Sequence, residues 1–509
     1  MMLILEDPGG EPLDRLLGQP MELGRFLGFA VSLAAALGKL HQQGLIHKDI
    51  KPANILANSA TGAIRLTGFG IASRLPRERQ SPEPPPEVIA GTLAYMAPEQ
   101  TGRMNRSIDS RSDLYSLGVT FYEMLTGALP FNASDPMEWV HCHIARQPVT
   151  PDQYAKEIPA PLSAIVLKLL AKTAEERYQT AAGVAGDLRR CLTEWEAHCR
   201  IDLFQLGACD VSDQLLIPEK LYGRKREIEA LISSFDRVVA DGTPELVLVS
   251  GYSGIGKSSV VQELHRALVP PRGLFGSGKF DQYKRDIPYE VGPAHPLLRT
   301  LESIREAGAQ VQEIVLASLG LDDVGRLLAD TLHCEPERVR PLLQLVQEKT
   351  GGNPFFAIQF FKALAEEGLL AFDPVARAWQ WDIDRLRAKS YTDNVVDLMA
   401  GKLKRFSATT QEALKRFACL GNVAEVATLA LVHGETEEVT HAALWEACST
   451  ERAVPPRAAV ARSESSSARA FTVTARGIVS PSSCESAEYR EGLESNLDLL
   501  FFLWTYRVP

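Results

Sequence analysis

The chain has 509 residues, which at roughly 150 per domain calls for about three domains rather than one core. Its 54 Lys plus Arg against 64 Asp plus Glu leave a formal charge of −10, so neither nucleic acid nor an anionic membrane is an expected partner of the surface as a whole. With 45% hydrophobic and 23% charged residues the composition is that of globular proteins, and wholesale disorder is excluded.

The eight cysteines are scattered without a CxxC pair, so neither a disulfide framework nor a zinc knuckle is expected, and a reducing cytoplasm fits. The opening Met1-Met-Leu-Ile-Leu-Glu-Asp7 lacks the basic n-region of a signal peptide. The longest uncharged helical stretch, Phe26 to Gly38, is 13 residues, short of the roughly 20 that cross a bilayer, so no membrane span is expected.

Apolar residues at helical spacing (Leu27, Val31, Leu33, Leu37, Leu40) predict a helix from Met21 to Gln43, closed by Gly44. Next comes His47-Lys-Asp49-Ile-Lys51-Pro-Ala-Asn54, an H-x-D-x-K-x-x-N loop. The spacing resembles the protein-kinase catalytic loop, and that resemblance implies that the Asp accepts the proton of a substrate hydroxyl, the Lys steadies the transferred phosphoryl group and the Asn holds a magnesium ion. Asp49, Lys51 and Asn54 are therefore the expected catalytic residues, Asn54 doubling as a metal ligand. Fourteen residues further, Gly68-Phe69-Gly70 stands where Asp-Phe-Gly is usual, without the carboxylate that chelates magnesium. Four prolines within 79–87 predict an exposed non-helical segment. Then come Gly91 to Glu99 (GTLAYMAPE), Ser112-Asp113-Leu-Tyr-Ser-Leu-Gly118 and Glu175-Glu-Arg177-Tyr178.

A lone H-x-D is usually a surface loop; four such motifs in order are not an accident. Together they resemble the C-terminal lobe of a Ser/Thr protein kinase. The resemblance implies that Asp113 orients the catalytic loop, that Arg177 pairs with Glu99, and that Leu3 to Asp7 matches the hinge strand, with the N-lobe absent. It also implies ATP and Mg²⁺ as cofactors and a protein substrate. Without a strand Lys or the Asp of Asp-Phe-Gly, phosphoryl transfer is expected to be impaired. His141-Cys142-His143 is set aside as a metal site, since two alternating ligands without a second cluster are usually helix residues.

Periodicity lapses from Asp202 to Pro218, which marks a linker, before Leu221-Tyr-Gly-Arg224 opens an amphipathic helix. The apolar run Leu246 to Val249 predicts a buried parallel strand, and it feeds Gly251-Tyr-Ser-Gly254-Ile-Gly256-Lys257-Ser258-Ser259, a complete P-loop. Backbone amides freed by Gly251, Gly254 and Gly256 converge on a phosphate, Lys257 reaches its outer oxygens, and the Ser258 hydroxyl ligates Mg²⁺ beside Ser259. Candidates for the acidic strand of hydrolysis, Asp322-Asp323 and Asp373, follow interrupted or late segments and are expected to be solvated loop acids.

The order Leu221 to Arg224, P-loop, Lys279 to Asp286, then Gly351-Gly-Asn-Pro354 resembles the large bacterial multi-sensor (hybrid) histidine kinases, which join a Ser/Thr kinase domain to a STAND/AAA-like ATPase domain. The resemblance covers residues 1–447 and implies a two-component signalling setting. It also implies that a stretch carrying the rest of the sheet is missing between Tyr289 and Pro293.

The predicted architecture is a multidomain chain: a mainly α kinase C-lobe over 1–200, a linker over 201–220, and an α/β P-loop NTPase with an incomplete sheet over 221–370. A helical or winged-helix-like region follows over 371–448. The Ser- and Arg-rich, Lys-free stretch 449–509 is expected to be disordered, a composition that a reading-frame shift also leaves. The expected function is ATP-dependent Ser/Thr phosphoryl transfer with a regulatory ATPase module. The alternative is a pseudokinase scaffold or a truncated gene product.

Overall fold

The computed structural model describes residues 9–59, 61–74, 92–104, 106–243, 245–264, 306, 310–388, 403–404, 406–420, 423–450, 458–459, 472–474 and 499–503. The segments 79–87, 279–286 and 289–296 lie outside them.

In the first unit, helix α1 (Leu23–Gln42) presents Phe26, Leu27, Ala30, Leu33, Ala34 and Leu37 to the core at a helical repeat and lies along α6 (Ala181–His198). By length and apolar composition alone α1 passes for a membrane span; here that apolar face is packed inside the first unit. Helix α2 (Ser110–Thr126), capped by Asp109, threads the middle of the unit and is buried along nearly its whole length. At Gly118 a Cβ would sit 2.7 Å from Leu169 Cβ of α5 (Ala160–Leu169), so only glycine permits this crossing. Helices α3 (Pro136–Ile144) and α4 (Pro151–Tyr154) complete the helical body. A small antiparallel sheet, β1 (Glu11–Pro12), β2 (Ile55–Ala57) and β3 (Ile64–Leu66), sits at one edge in that order.

The stretch expected as a linker is a strap built into both units. Ile201 closes the first core, and the Gly207 amide donates to Asp187 at 2.7 Å. The Asp210 carboxylate accepts from the amides of Gln179 and Thr180 at the start of α6, and Ile217 enters the second core.

The second unit opens with α7 (Lys225–Asp241), β4 (Glu245–Gly251) and α8 (Lys257–Gln262). Strand β5 (Gln310–Leu316) runs parallel to β4, pairing Gly251 with Leu316. Helices α9 (Leu321–Leu332), α10 (Pro336–Thr350) and α11 (Pro354–Glu366) build a separate helical core. Asp322 and Asp323 lie in the first turn of α9, Asp323 paired to Arg326, rather than in a loop.

The region from 371 onward, expected to be helical or winged-helix-like, begins with a hairpin of β6 (Leu370–Asp373) and β7 (Ala378–Trp381), whose turn amides Val375 and Ala376 donate to Asp373. After α12 (Ile383–Ala388) come α13 (Ala408–Leu420), β8 (Val423–Glu425), α14 (Val426–His433) and α15 (Glu437–Thr450). The tail expected to be disordered contributes β9 (Ala458–Ala459) and β10 (Thr472–Thr474), which join β8 in the order β8-β10-β9. It also supplies β11 (Leu499–Leu503), antiparallel to β4 on the side opposite β5. Among the described residues the P-loop sheet therefore has two parallel strands and one antiparallel strand.

Candidate functional site

The first site is the loop after α1. The Asp113 carboxylate, fully buried on α2, accepts the amides of His47 at 2.8 Å and Lys48 at 2.7 Å, and His41 Nε2 at 2.9 Å. His47 Nε2 donates to the Thr67 carbonyl, which leaves Nδ1 to accept the Asp49 amide. Lys48 has φ +66°, a left-handed conformation unusual for a side chain of that length, and it is held from both ends: its amide by Asp113, its carbonyl by Gln100 Nε2 at 2.8 Å. Asp49 follows directly, with 17% of its side chain exposed.

Asp49, Lys51 and Asn54, the residues expected to be catalytic, lie in contact with one another. Asp49 Oδ2 accepts from Lys51 Nζ and Asn54 Nδ2, each at 2.8 Å, and Lys51 Nζ also donates to Thr92 Oγ1 at 2.6 Å. The Asp49 carboxylate is thus held by two donors, Asp49 lines a narrow notch together with Thr92, Tyr95 and Ser116, and Lys51 ties the loop to Thr92. Gly68 has φ +81°, and a Cβ there would lie 2.5 Å from Asn54 Cγ. The position a chelating carboxylate needs is glycine with the Asn54 amide packed against it. The donor set for Mg²⁺ at this loop is therefore one carboxylate short.

The expected Glu99–Arg177 pair is present: Arg177 NH1 to Oε1 at 2.7 Å and NH2 to Oε2 at 2.9 Å, with Ser112 Oγ donating to Oε1. Next to it, His143 is buried, which pushes its imidazole down to about 4. Nε2 donates to the Leu93 carbonyl at 2.8 Å, and Nδ1 accepts from Tyr115 OH at 2.9 Å. Both ring nitrogens are engaged by protein, which removes His143 from any metal role. Among the described residues no three His, Cys, Asp or Glu cluster as metal ligands.

The second site is the turn between β4 and α8. Gly251, Gly254 and Gly256 all have positive φ (144°, 77° and 102°), which side chains avoid, and the space beside Gly256 is open. A Cβ at Gly254 would meet Phe355 Cβ at 2.8 Å, so the turn is packed from behind and open in front. Lys257 Nζ folds back to the Gly251 carbonyl at 2.7 Å and the Tyr252 carbonyl at 3.3 Å, while Ser258 at the start of α8 is exposed. The amides at this helix start, the lysine and the hydroxyl fit a magnesium-bound triphosphate. When bound, the magnesium supplies charge neutralisation on the outer phosphates.

Two long-range contacts support this turn. Asn353 Nδ2 donates to the Ser253 carbonyl at 2.9 Å while its Oδ1 caps α11 through the Phe355 amide. Arg224, buried at the start of α7, donates to the Ile255 carbonyl at 3.2 Å and the Ala317 carbonyl at 2.6 Å, bridging the P-loop to the end of β5. Both motifs stand out in the sequence, but it does not say what they touch.

Comparison with known proteins finds a family match for each of the two regions. A protein kinase domain matches residues 1–186, and an AAA ATPase domain matches residues 220–418. The chain carries a Ser/Thr protein kinase domain and an AAA ATPase domain. The kinase region is 42% identical over 171 residues to serine/threonine-protein kinase PknB of Mycobacterium tuberculosis, covering 34% of this chain and 27% of that protein. It is 35% identical over 202 residues to serine/threonine-protein kinase Pkn1 of Myxococcus xanthus, covering 39% and 28%. A longer match reaches hybrid signal transduction histidine kinase G of Dictyostelium discoideum, 24% identical, covering 67% of this chain and 16% of that protein. The chain thus spans less than a third of the length of each of these relatives.

Proposed function

We propose that the chain is an ATP-binding signal-transduction protein in which Ser/Thr kinase-type machinery is joined to a regulatory P-loop ATPase module, as in bacterial multi-sensor hybrid histidine kinases. Its setting is read as cytoplasmic, and its macromolecular partner as a protein substrate or downstream signalling protein. The observation that carries the nucleotide reading is the β4–α8 turn, with three positive-φ glycines, Lys257 held at the turn and Ser258 exposed. Isothermal titration of magnesium ATP into wild type and Lys257→Ala tests it. Loss of binding in the variant is expected, and equal binding would empty the assignment.

In the kinase domain Asp49 is the proton acceptor for a substrate hydroxyl, and Lys51 and Asn54 hold its carboxylate in place. A second reading, a nucleotide-binding scaffold with a pseudokinase lobe, is favoured by one feature: Gly68 in the chelating position, with Asn54 filling the space beside it. Phosphoryl incorporation into a generic Ser/Thr-rich protein separates the two. Incorporation that vanishes in Asp49→Asn supports transfer, and equal background in both proteins supports the scaffold.

A further inference from the structure

The strap and the loop after Thr101 bring the two domains into a polar junction that the two activities do not require. Ser107 presents its amide to Glu219 Oε2 at 2.6 Å and its hydroxyl to Glu219 Oε1 at 2.8 Å. The Glu219 amide in turn donates to Glu175 Oε1 at 3.0 Å. Burial pushes the Glu175 carboxyl up, but Arg111 and Arg106 outweigh it and hold the group below its usual range, so it stays charged in the junction. One residue from Ser107, Arg106 pairs at 3.5 Å with Glu263, the residue directly after α8; only 9% and 11% of these two side chains are exposed. Partly desolvated pairs of this kind are screened far less than surface pairs, and removing one partner leaves the other charge uncompensated.

The junction has a site at each end. Helix α8 begins with Lys257 and ends at Gln262, so Glu263 is separated from the phosphate-binding lysine by a rigid rod of roughly 9 Å. On the kinase side, Arg111 and Asp109 form an ion pair two residues beyond Ser107, and the Arg111 carbonyl accepts from Arg177, which holds Glu99. The next residue, Gln100, donates to the carbonyl of Lys48 beside Asp49. Helix α8 thus links Lys257, whose Nζ donates to the Gly251 and Tyr252 carbonyls, to Glu263, which holds Arg106.

We propose that nucleotide occupancy of the P-loop is coupled to the kinase domain's 97–108 segment through the Arg106–Glu263 pair and the Glu219–Ser107 latch, each domain thereby regulating the other. The proposal rests on the reading that the P-loop binds magnesium nucleotide. Linkage makes the effect reciprocal: whatever factor the nucleotide imposes on the state of the segment, the segment imposes on nucleotide affinity.

The test is hydrogen exchange across residues 97–108 in the full chain, with and without saturating magnesium AMP-PNP. Wild type is expected to change its exchange there by about fivefold or more, the lower end of common coupling factors, and Lys257→Ala is expected to show no change. Arg106→Ala combined with Glu219→Gln is expected to bind AMP-PNP while the segment no longer responds. Glu219→Gln alone, which preserves size, serves if the double variant unfolds, and a reduced response is expected from it. Wild type that binds through Lys257 yet shows an unchanged segment overturns the coupling and leaves the nucleotide reading intact. Absence of Lys257-dependent binding overturns both.

Discussion

Arg177 and Glu99, 78 residues apart in the chain, meet as a two-pronged ion pair at 2.7 and 2.9 Å with the Arg177 side chain wholly buried against the face of Tyr115. The guanidinium also donates to the carbonyls of Ala171 and Arg111. Each of its polar edges therefore has a partner, which is the condition under which a buried pair is tolerated. Removing one member strands the other. Glu99→Gln is expected to cost about 3–5 kcal/mol, read as a lower urea midpoint. Arg177→Lys is expected to cost nearly as much, because an ammonium cannot reproduce the fork. A midpoint unchanged in both variants would remove this pair from the account of stability.

The catalytic loop is legible in the sequence because its chemistry is carried by residue types at short fixed spacings, Asp49 to Asn54, whereas the Glu99–Arg177 pair, 78 residues apart, follows only from the resemblance to Ser/Thr protein kinases. What escaped was long-range. Strand β5 is hidden in the sequence because Gln312 and Glu313 interrupt its apolar run. Gln312 is polar because its amide oxygen accepts from Arg237 and Ser234 of α7, a contact no local pattern records. The strap was read as a linker for the same reason: Asp210 and Glu219 look like solvated acids until their partners at Thr180 and Ser107 are known. The pairing of Leu499–Leu503 with β4 joins residues some 250 positions apart, beyond the reach of any periodicity.

Gly68 is expected to be intolerant of most side chains for two separable reasons. Its φ of +81° disfavours any Cβ, and the Asn54 amide fills the space the Cβ needs. Gly68→Ala should lower stability by about 1–2 kcal/mol. Gly68→Asn should lose less, since Asn enters the left-handed region more readily. Adding Asn54→Ala to Gly68→Ala should recover the steric part. Additive losses in the double variant would show that the contact with Asn54 is not the obstacle.

Asn353 carries two duties, capping α11 through the Phe355 amide and holding the Ser253 carbonyl of the P-loop. Asn353→Ala should cost about 1 kcal/mol as a lost cap and weaken magnesium ATP binding severalfold by freeing the turn. Asn353→Asp keeps the cap but cannot donate to Ser253. It should therefore retain the melting temperature while losing affinity, and an Asp variant with wild-type affinity would refute the link between the two segments.

The cluster around Tyr115 makes stability depend on pH in a direction that follows from its burial. Burial, then the neighbouring Arg177 charge, push Lys172 down to about 7, while its amine donates to the Cys142 carbonyl at 3.1 Å and lies over the Phe131 ring at 4.5 Å. The folded value lies below the unfolded 10.5, so between pH 7 and 10.5 the unfolded chain binds more protons and stability rises with pH. The penalty is full below about pH 7. His143, pushed from 6.5 down to about 4, adds a second rise in the window from pH 4 to 6.5. Lys172→Met keeps the apolar stem and removes only the first window. Wild type should then gain on the variant by up to about 2–3 kcal/mol between pH 7 and 9, at 1.36 kcal/mol per pH unit. Urea midpoints of the two proteins at pH 6, 7, 8 and 9 measure this, and a constant difference across the series would mean that Lys172 does not titrate in the fold.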